Sequence, residues 1–208
     1  KLFRMDSPLM RFLTKIADLM VLNILFCVTS IPLITIGASW TALYSVTLKM
    51  VRDEEDSVSR SYFRSFRQNF RQATLLWLGV LVVLALLVLD IRVLNGMAEG
   101  TAPGLLRVGV EILALLGIMV LQYLFPSLAR FEASLADTLK NACMMALAHL
   151  PKTALMTAAA VGAVWITLIN NTTIAVGLMV WPLIGFSLMA FGNSGILRRI
   201  FDNYVPKA

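Results

Sequence analysis

The chain has 208 residues, of which 59% are hydrophobic and only 14% charged, with a net charge of +6 and a mean hydropathy of +0.80. Soluble domains carry about 25% charged residues, so this composition excludes a water-covered globule and calls for a surface that faces lipid. The basic residues sit between apolar runs rather than in one block, which argues against nucleic acid as a partner and for the membrane.

In chain order, Ile16–Ile31 is apolar apart from Asp18, Asn23, Thr29 and Ser30. Pro32 interrupts it, Gly37 follows, and Ala38–Met50 is a second, less apolar stretch. Both are short against the roughly 20 residues needed to cross a hydrocarbon core. Together (residues 16–51) they are expected either to cross twice or to form a re-entrant hairpin.

Ser57–Gln72 has another pattern. Arg60, Arg64, Arg67 and Arg71 recur at steps of three and four, beside a stripe of Phe63, Phe66 and Phe70 with Tyr62. That predicts an amphipathic helix lying at the cytoplasmic interface. The acidic run at Asp53–Asp56 suits its positive N-terminal end.

Two apolar runs follow, Ala73–Leu89 and Leu105–Phe125 (a pair over 73–125). A weaker amphipathic stretch at 134–150 is expected to form a second interfacial helix. Another apolar pair, Thr153–Ile169 and Thr173–Phe191 (153–191), completes the chain. Segments in lipid must satisfy their own backbone groups, so each must be helical. The expectation is an all-α, polytopic transmembrane helix bundle forming one domain. Six membrane helices are the favoured count, with one or two interfacial helices.

All but two of the 18 Lys and Arg residues fall on one alternating set of connections; the exceptions are Arg92 and Arg107. By the positive-inside rule this set, and with it both termini, is expected in the cytoplasm of a bacterial inner (plasma) membrane. The N-terminal region must then cross an even number of times, two or none.

Polar residues inside membrane segments are default functional candidates. Here they concentrate in the N-terminal hairpin as Asp18, Asn23, Thr35, Thr41 and Ser45. Gly37, Thr41 and Ser45 recur every four residues, a small-residue spacing that lets helices approach closely. The structural reading is that this hairpin packs inside the bundle; the functional reading is a polar solute or ion site. Trp181-Pro182 marks a kink in the last span. The single histidine, His149, and the two distant cysteines, Cys27 and Cys143, build no metal or disulfide pattern. No nucleophile–base or phosphate-binding motif is present, so neither enzymatic activity nor a cofactor is expected.

Several strings resemble the YesL family of bacterial integral membrane proteins. They are Ala17-Asp18-Leu19, Leu22-Asn23-Ile24-Leu25, Ile31-Pro32-Leu33-Ile34-Thr35-Ile36-Gly37-Ala38 and Thr41-Ala42-Leu43-Tyr44. The run from Tyr62 to Thr74 (Tyr-Phe-Arg-Ser-Phe-Arg-Gln-Asn-Phe-Arg-Gln-Ala-Thr) is similar as well. The resemblance implies association with carbohydrate ABC-transporter gene clusters and supplies no catalytic residues. The leading expectation is a non-enzymatic accessory component that binds permease subunits. Its surface would be Arg60, Arg64, Arg67 and Arg71 with Phe63, Phe66 and Phe70, which also suits anionic lipid headgroups. The alternative is a small-solute transporter or channel using the polar hairpin.

Overall fold

The computed structural model describes residues 8–54, 57–96, 101–131 and 133–204. Every regular element among them is helical. Helix α1 (Pro8–Thr29) and α2 (Ile36–Met50) form an antiparallel hairpin joined by a short 3-10 turn at Leu33–Thr35. Then come α3 (Val58–Asn95), α4 (Thr101–Arg130), α5 (Leu135–Ala148) and α6 (Leu150–Leu168). Helices α7 (Asn171–Val180) and α8 (Phe186–Phe201) are one rod joined through a π-helical turn at Trp181–Gly185. Five of these rods are long and apolar enough to cross a membrane: α1, α3, α4, α6 and α7–α8. The chain is thus a polytopic α-helical membrane protein.

Local sequence explains the breaks. Pro32 disfavours helical geometry at the residue before it, so α1 stops at Thr29. Thr35 Oγ1 then donates to the carbonyls of Thr29 (2.5 Å) and Pro32 (2.7 Å), satisfying acceptors that a helix C-terminus leaves open. The tight α6–α7 reversal uses a reciprocal cap. Asn170 Oδ1 accepts from the Thr173 amide (2.9 Å) and Thr173 Oγ1 accepts from the Asn170 amide (3.0 Å). Helix α5 is capped by Ser134, whose Oγ accepts from the Asp137 amide at 3.2 Å.

The core is centred on α2. Ala38, Ala42, Leu43, Val46, Met50 and the polar Ser39, Thr41 and Thr47 are all buried, because α3, α4, α8 and α1 surround this helix. Its 15 residues rise only about 22 Å, short of a bilayer core of about 30 Å. A helix enclosed by protein needs neither the length nor the greasiness of a lipid-facing one, which accounts for its polar sequence.

One expectation changes here. The boundary expected at residue 72 is not an element boundary, because α3 runs unbroken through it for 38 residues. The arginine-rich segment is therefore a collinear extension of a membrane-length helix rather than a separate helix lying across its end. No proline or glycine separates Val58 from Trp77, so nothing in the sequence forces a bend there. The hairpin turn meets α3 partway along that helix. Trp77 Nε1 donates to the Leu33 carbonyl at the hairpin turn (2.7 Å), and residues 78–95 of α3 continue beyond it, roughly 27 Å of further helix. On the other side Asn23 meets Trp181 and Pro182, leaving all of α7 beyond that contact. Of the two hairpin helices, α1 is long and apolar enough to cross a membrane, and α2, with 15 residues, is the short one.

Candidate functional site

The hairpin polar residues are brought into the bundle, but they do not converge on one open site. Asn23 is fully buried and spends its whole amide on the π-turn. Its Nδ2 donates to the carbonyls of Trp181 (2.9 Å) and Pro182 (2.6 Å), and its Oδ1 accepts from the Ser187 amide (2.9 Å). Ser187 Oγ in turn donates to the Leu19 carbonyl (2.7 Å). Pro182 has no N–H for the carbonyl one turn before it, and the π-turn shifts the ladder register, which exposes backbone polar groups to a side-chain partner here. Asn23 replaces them from 158 residues away in sequence.

The other members are dispersed. Thr41 Oγ1 donates to the Gly37 carbonyl of its own helix (2.9 Å). Thr35 closes the hairpin turn, as above. Ser45 is half-buried on α2, and Asp18 is half-buried on α1 with no ion pair to any described residue. Three residues outside the expected set form a second buried node: Thr29 Oγ1 lies 2.9 Å from Ser39 Oγ and 2.6 Å from Tyr62 Oη. Deeper in the basic half, Thr47 Oγ1 lies 2.8 Å from Ser194 Oγ. Hydroxyls spaced along separate apolar helices carry no sequence signal for such pairing.

The basic end is tied together by charge. Lys15 pairs with Asp53 (2.6 Å) and also donates to the Met50 carbonyl (3.3 Å). That ammonium holds the Asp53 carboxyl below its ordinary range. Arg52 pairs with Asp202, and Arg198 donates to the Val51 carbonyl (2.9 Å). The start of α1, the end of α2 and the end of α8 therefore share one end of the molecule.

On α3 the arginine and phenylalanine stripes separate differently from the sequence pattern. Arg60, Phe63, Arg64, Arg67, Phe70 and Arg71 are all exposed and lie at helical steps of three and four, hence on one outward face. Tyr62 and Phe66 turn inward with Ser61 and Ser65. Phe66 stacks on Tyr62 (centroids 6.3 Å apart) and touches the small cluster of Ala38, Ala73 and Leu128. Phe66 is thus a packing residue, while Phe63 (43% exposed) and Phe70 (37%) accompany the guanidinium groups outside. Among the described residues none of the four arginines is paired with a carboxylate. Glu55 and Asp56, part of the acidic run expected at the N-terminus of this helix, lie outside the described residues. The face is rigidly positioned, since Gly37 of α2 seats directly against the Ala73 backbone and Trp77.

Helix α5 covers the same end, packing on α4. It buries Thr138, Ala142, Met145 and Ala146 and exposes Leu139, Met144 and Leu147. A short helix with one apolar side on protein and another facing outward suits an interfacial position. Among the described residues no group of His, Cys, Asp and Glu is placed to hold a metal ion.

Comparison with known proteins finds similar sequences. A family model described as a protein of unknown function, DUF624, matches residues 19–91, which cover the second half of α1, α2 and most of α3. The chain is also 28% identical over 159 residues to the uncharacterized protein YesL of Bacillus subtilis (strain 168), covering 76% of this chain and 74% of that one. No solved structure matches it.

Proposed function

Since the chain belongs to the YesL family of membrane proteins, we propose that it is a non-enzymatic partner-binding component of the bacterial plasma membrane. Its termini are cytoplasmic, and it assists carbohydrate uptake by docking the permease subunits of an ABC transporter. The docking surface is the outward face of α3 formed by Arg60, Arg64, Arg67 and Arg71 with Phe63 and Phe70.

One observation carries this reading. Four guanidinium groups with no carboxylate partner among the described residues and two exposed aromatic rings share one face of a helix that continues without a break into a membrane-length span. Arginine and aromatic residues are the side chains most enriched at interface centres. Arginine also recognises carboxylates and phosphates through paired donors. The association with carbohydrate transporters rests on the family resemblance. The transport alternative draws less support, because Asn23, Thr35 and Thr41 of the polar hairpin are committed to backbone groups.

The test is co-purification from native membranes of the full chain against its Arg64→Glu, Arg67→Glu, Arg71→Glu variant. Permease subunits should accompany the wild type and be lost from the variant, with membrane insertion unchanged. Equal recovery from both would remove this face as the docking surface. Loss of binding to anionic-lipid nanodiscs alone, with permease recovery intact, would reassign the face to lipid headgroups.

A further inference from the structure

Charged residues mark two levels on the α3–α4 pair. These helices run antiparallel, with the Trp77 and Phe125 rings 6.2 Å apart and Arg107 Nη2 donating to Asn95 Oδ1 (2.5 Å). That register sets Arg71 level with Arg130 and Asp90 level with Glu111. All four are exposed, and no charged residue stands between Arg71 and Asp90 or between Glu111 and Arg130. Each interval rises about 28 Å, close to the thickness of a hydrocarbon core, about 30 Å. The two belts therefore mark its edges, one at Arg71 and Arg130, the other at Asp90 and Glu111.

The arginine face lies beyond the first belt. Arg67, Arg64 and Arg60 precede Arg71 on α3, roughly 6, 10 and 16 Å along the helix. Headgroups add only about 5–8 Å on each side of the core, so Arg67 reaches them while Arg60, Phe63 and Arg64 stand past them. Helical side chains lean toward the N-terminus, which here is away from the bilayer. Tilt does not alter this, because α3 is unbroken and leans as one rod. Laying Arg60 into the headgroups would take a tilt of about 60° and would shorten the span to roughly 14 Å, half a core. Lipid therefore does not cover Phe63, which is 43% exposed.

We infer that this face receives an acidic amphipathic helix on the cytoplasmic side, with carboxylates at steps of three and four beside an apolar side chain that covers Phe63. The inference rests on the partner-binding reading above and names the segment the partner must bring. Charge sets its class: Arg60, Arg64 and Arg67 have no carboxylate partner among the described residues, and guanidinium groups offer paired donors to carboxylates. Their spacing is that of one helical face, so a helix laid alongside meets them with carboxylates at the same steps. Phe63, between them, is an aromatic side chain of the kind found at interface centres.

The test uses the full chain in nanodiscs of phosphatidylcholine alone, which carry no net charge. The probe is a fluorescein-labelled, helix-stapled peptide with Glu at steps of three and four beside Leu; its control is a scrambled peptide of the same composition. The designed peptide should bind at least about tenfold more tightly than the scramble. Arg60→Glu with Arg64→Glu should weaken it at least about tenfold, as should Phe63→Ala, the scale of a central interface residue. Arg130→Glu, a charge reversal at the membrane edge, should change it by less than about threefold. Spin labels attached through Arg60→Cys, Phe63→Cys and Val82→Cys, with Cys27 and Cys143 replaced by serine, check the depth. The first two should be relaxed by a water-soluble nickel chelate and the third by oxygen. The proposal is overturned by equal binding of both peptides to the wild type, by equal binding of the designed peptide to the wild type and the Arg60, Arg64 double variant, or by oxygen relaxation at positions 60 and 63. Any of these, with permease recovery still dependent on the arginines, removes only the acidic cytoplasmic helix. Permease recovery indifferent to the arginines, with the designed peptide still bound, removes the transporter reading and upholds this one.

Discussion

Asn23 illustrates what a single side chain does in this protein. Its position five residues beyond Asp18 in an apolar run marks it as costly to bury and therefore purposeful. The purpose is visible only with the π-turn beside it, where one amide group serves two carbonyls and one N–H. In a medium without water a polar side chain and the backbone groups of a distorted turn must find partners within the protein. Asn23→Leu keeps the branching at Cγ, adds bulk and removes all three bonds. It is expected to destabilise the protein by at least about 1–3 kcal/mol, the cost of buried polar groups left unmade. Thermal unfolding of the detergent-purified protein, followed by gel filtration after heating, checks this. Ser187→Ala, which removes one hydroxyl and leaves the Ser187 amide bonded to Asn23, should cost clearly less. A variant Asn23→Leu as stable as the wild type would mean that the π-turn supports itself.

At the scale of elements, α2 and α3 are the informative pair. Helix α2 is polar because protein surrounds it, and α3 changes character along its length because its surroundings change. Beside the hairpin, α3 has one inward face and one arginine-bearing outward face; beyond Trp77 its most apolar stretch has no buried residue. The tight seat between the two helices depends on Gly37. A Cβ there would lie 2.5 Å from the Ala73 carbonyl oxygen and 2.6 Å from Trp77 Cβ, and a helix backbone cannot yield cheaply. Gly37→Ala is expected to cost about 1–3 kcal/mol through overpacking. Gly192→Ala, where a Cβ would meet nothing within 4 Å, should be close to neutral, and the difference in melting temperature between the two variants measures the seat. The spacing Gly37, Thr41, Ser45 is legible in the sequence as a close-approach stripe, but which helix approaches is not. Likewise the periodicity of Arg60–Arg71 reveals an amphipathic helix. It does not reveal that Phe66 faces inward while Phe63 and Phe70 face out, because the aromatic stripe straddles the edge between the two faces.

Across the whole molecule, the depth of the hairpin governs topology. Its turn meets α3 at Trp77, whereas the α6–α7 reversal lies a further ten-residue helix beyond the π-turn that Asn23 holds. Cysteine labelling with a membrane-impermeant maleimide on intact cells separates the two arrangements, in a background with Cys27 and Cys143 replaced by serine. Asn171→Cys should label from outside. Ile31→Cys, at the exposed hairpin turn, should not label from outside if the hairpin ends within the membrane. Equal labelling of both positions would show two full crossings. Gly37 is unsuitable for the probe because its Cβ position is occupied.

The sequence by itself determined that this chain is a helical membrane protein. Low charge content and apolar runs of bilayer length admit no soluble packing, and the distribution of Lys and Arg puts the connecting segments on two unlike sides. Those are local or compositional properties, readable along one dimension. Only the folded contacts show that the hairpin turn meets α3 at Trp77, that α3 carries its arginines on an unbroken extension, and that Asn23 serves a turn 158 residues away. Each of these depends on contacts between segments far apart in the chain, which hydrophobic periodicity cannot encode because lipid and protein neighbours look alike to an apolar side chain.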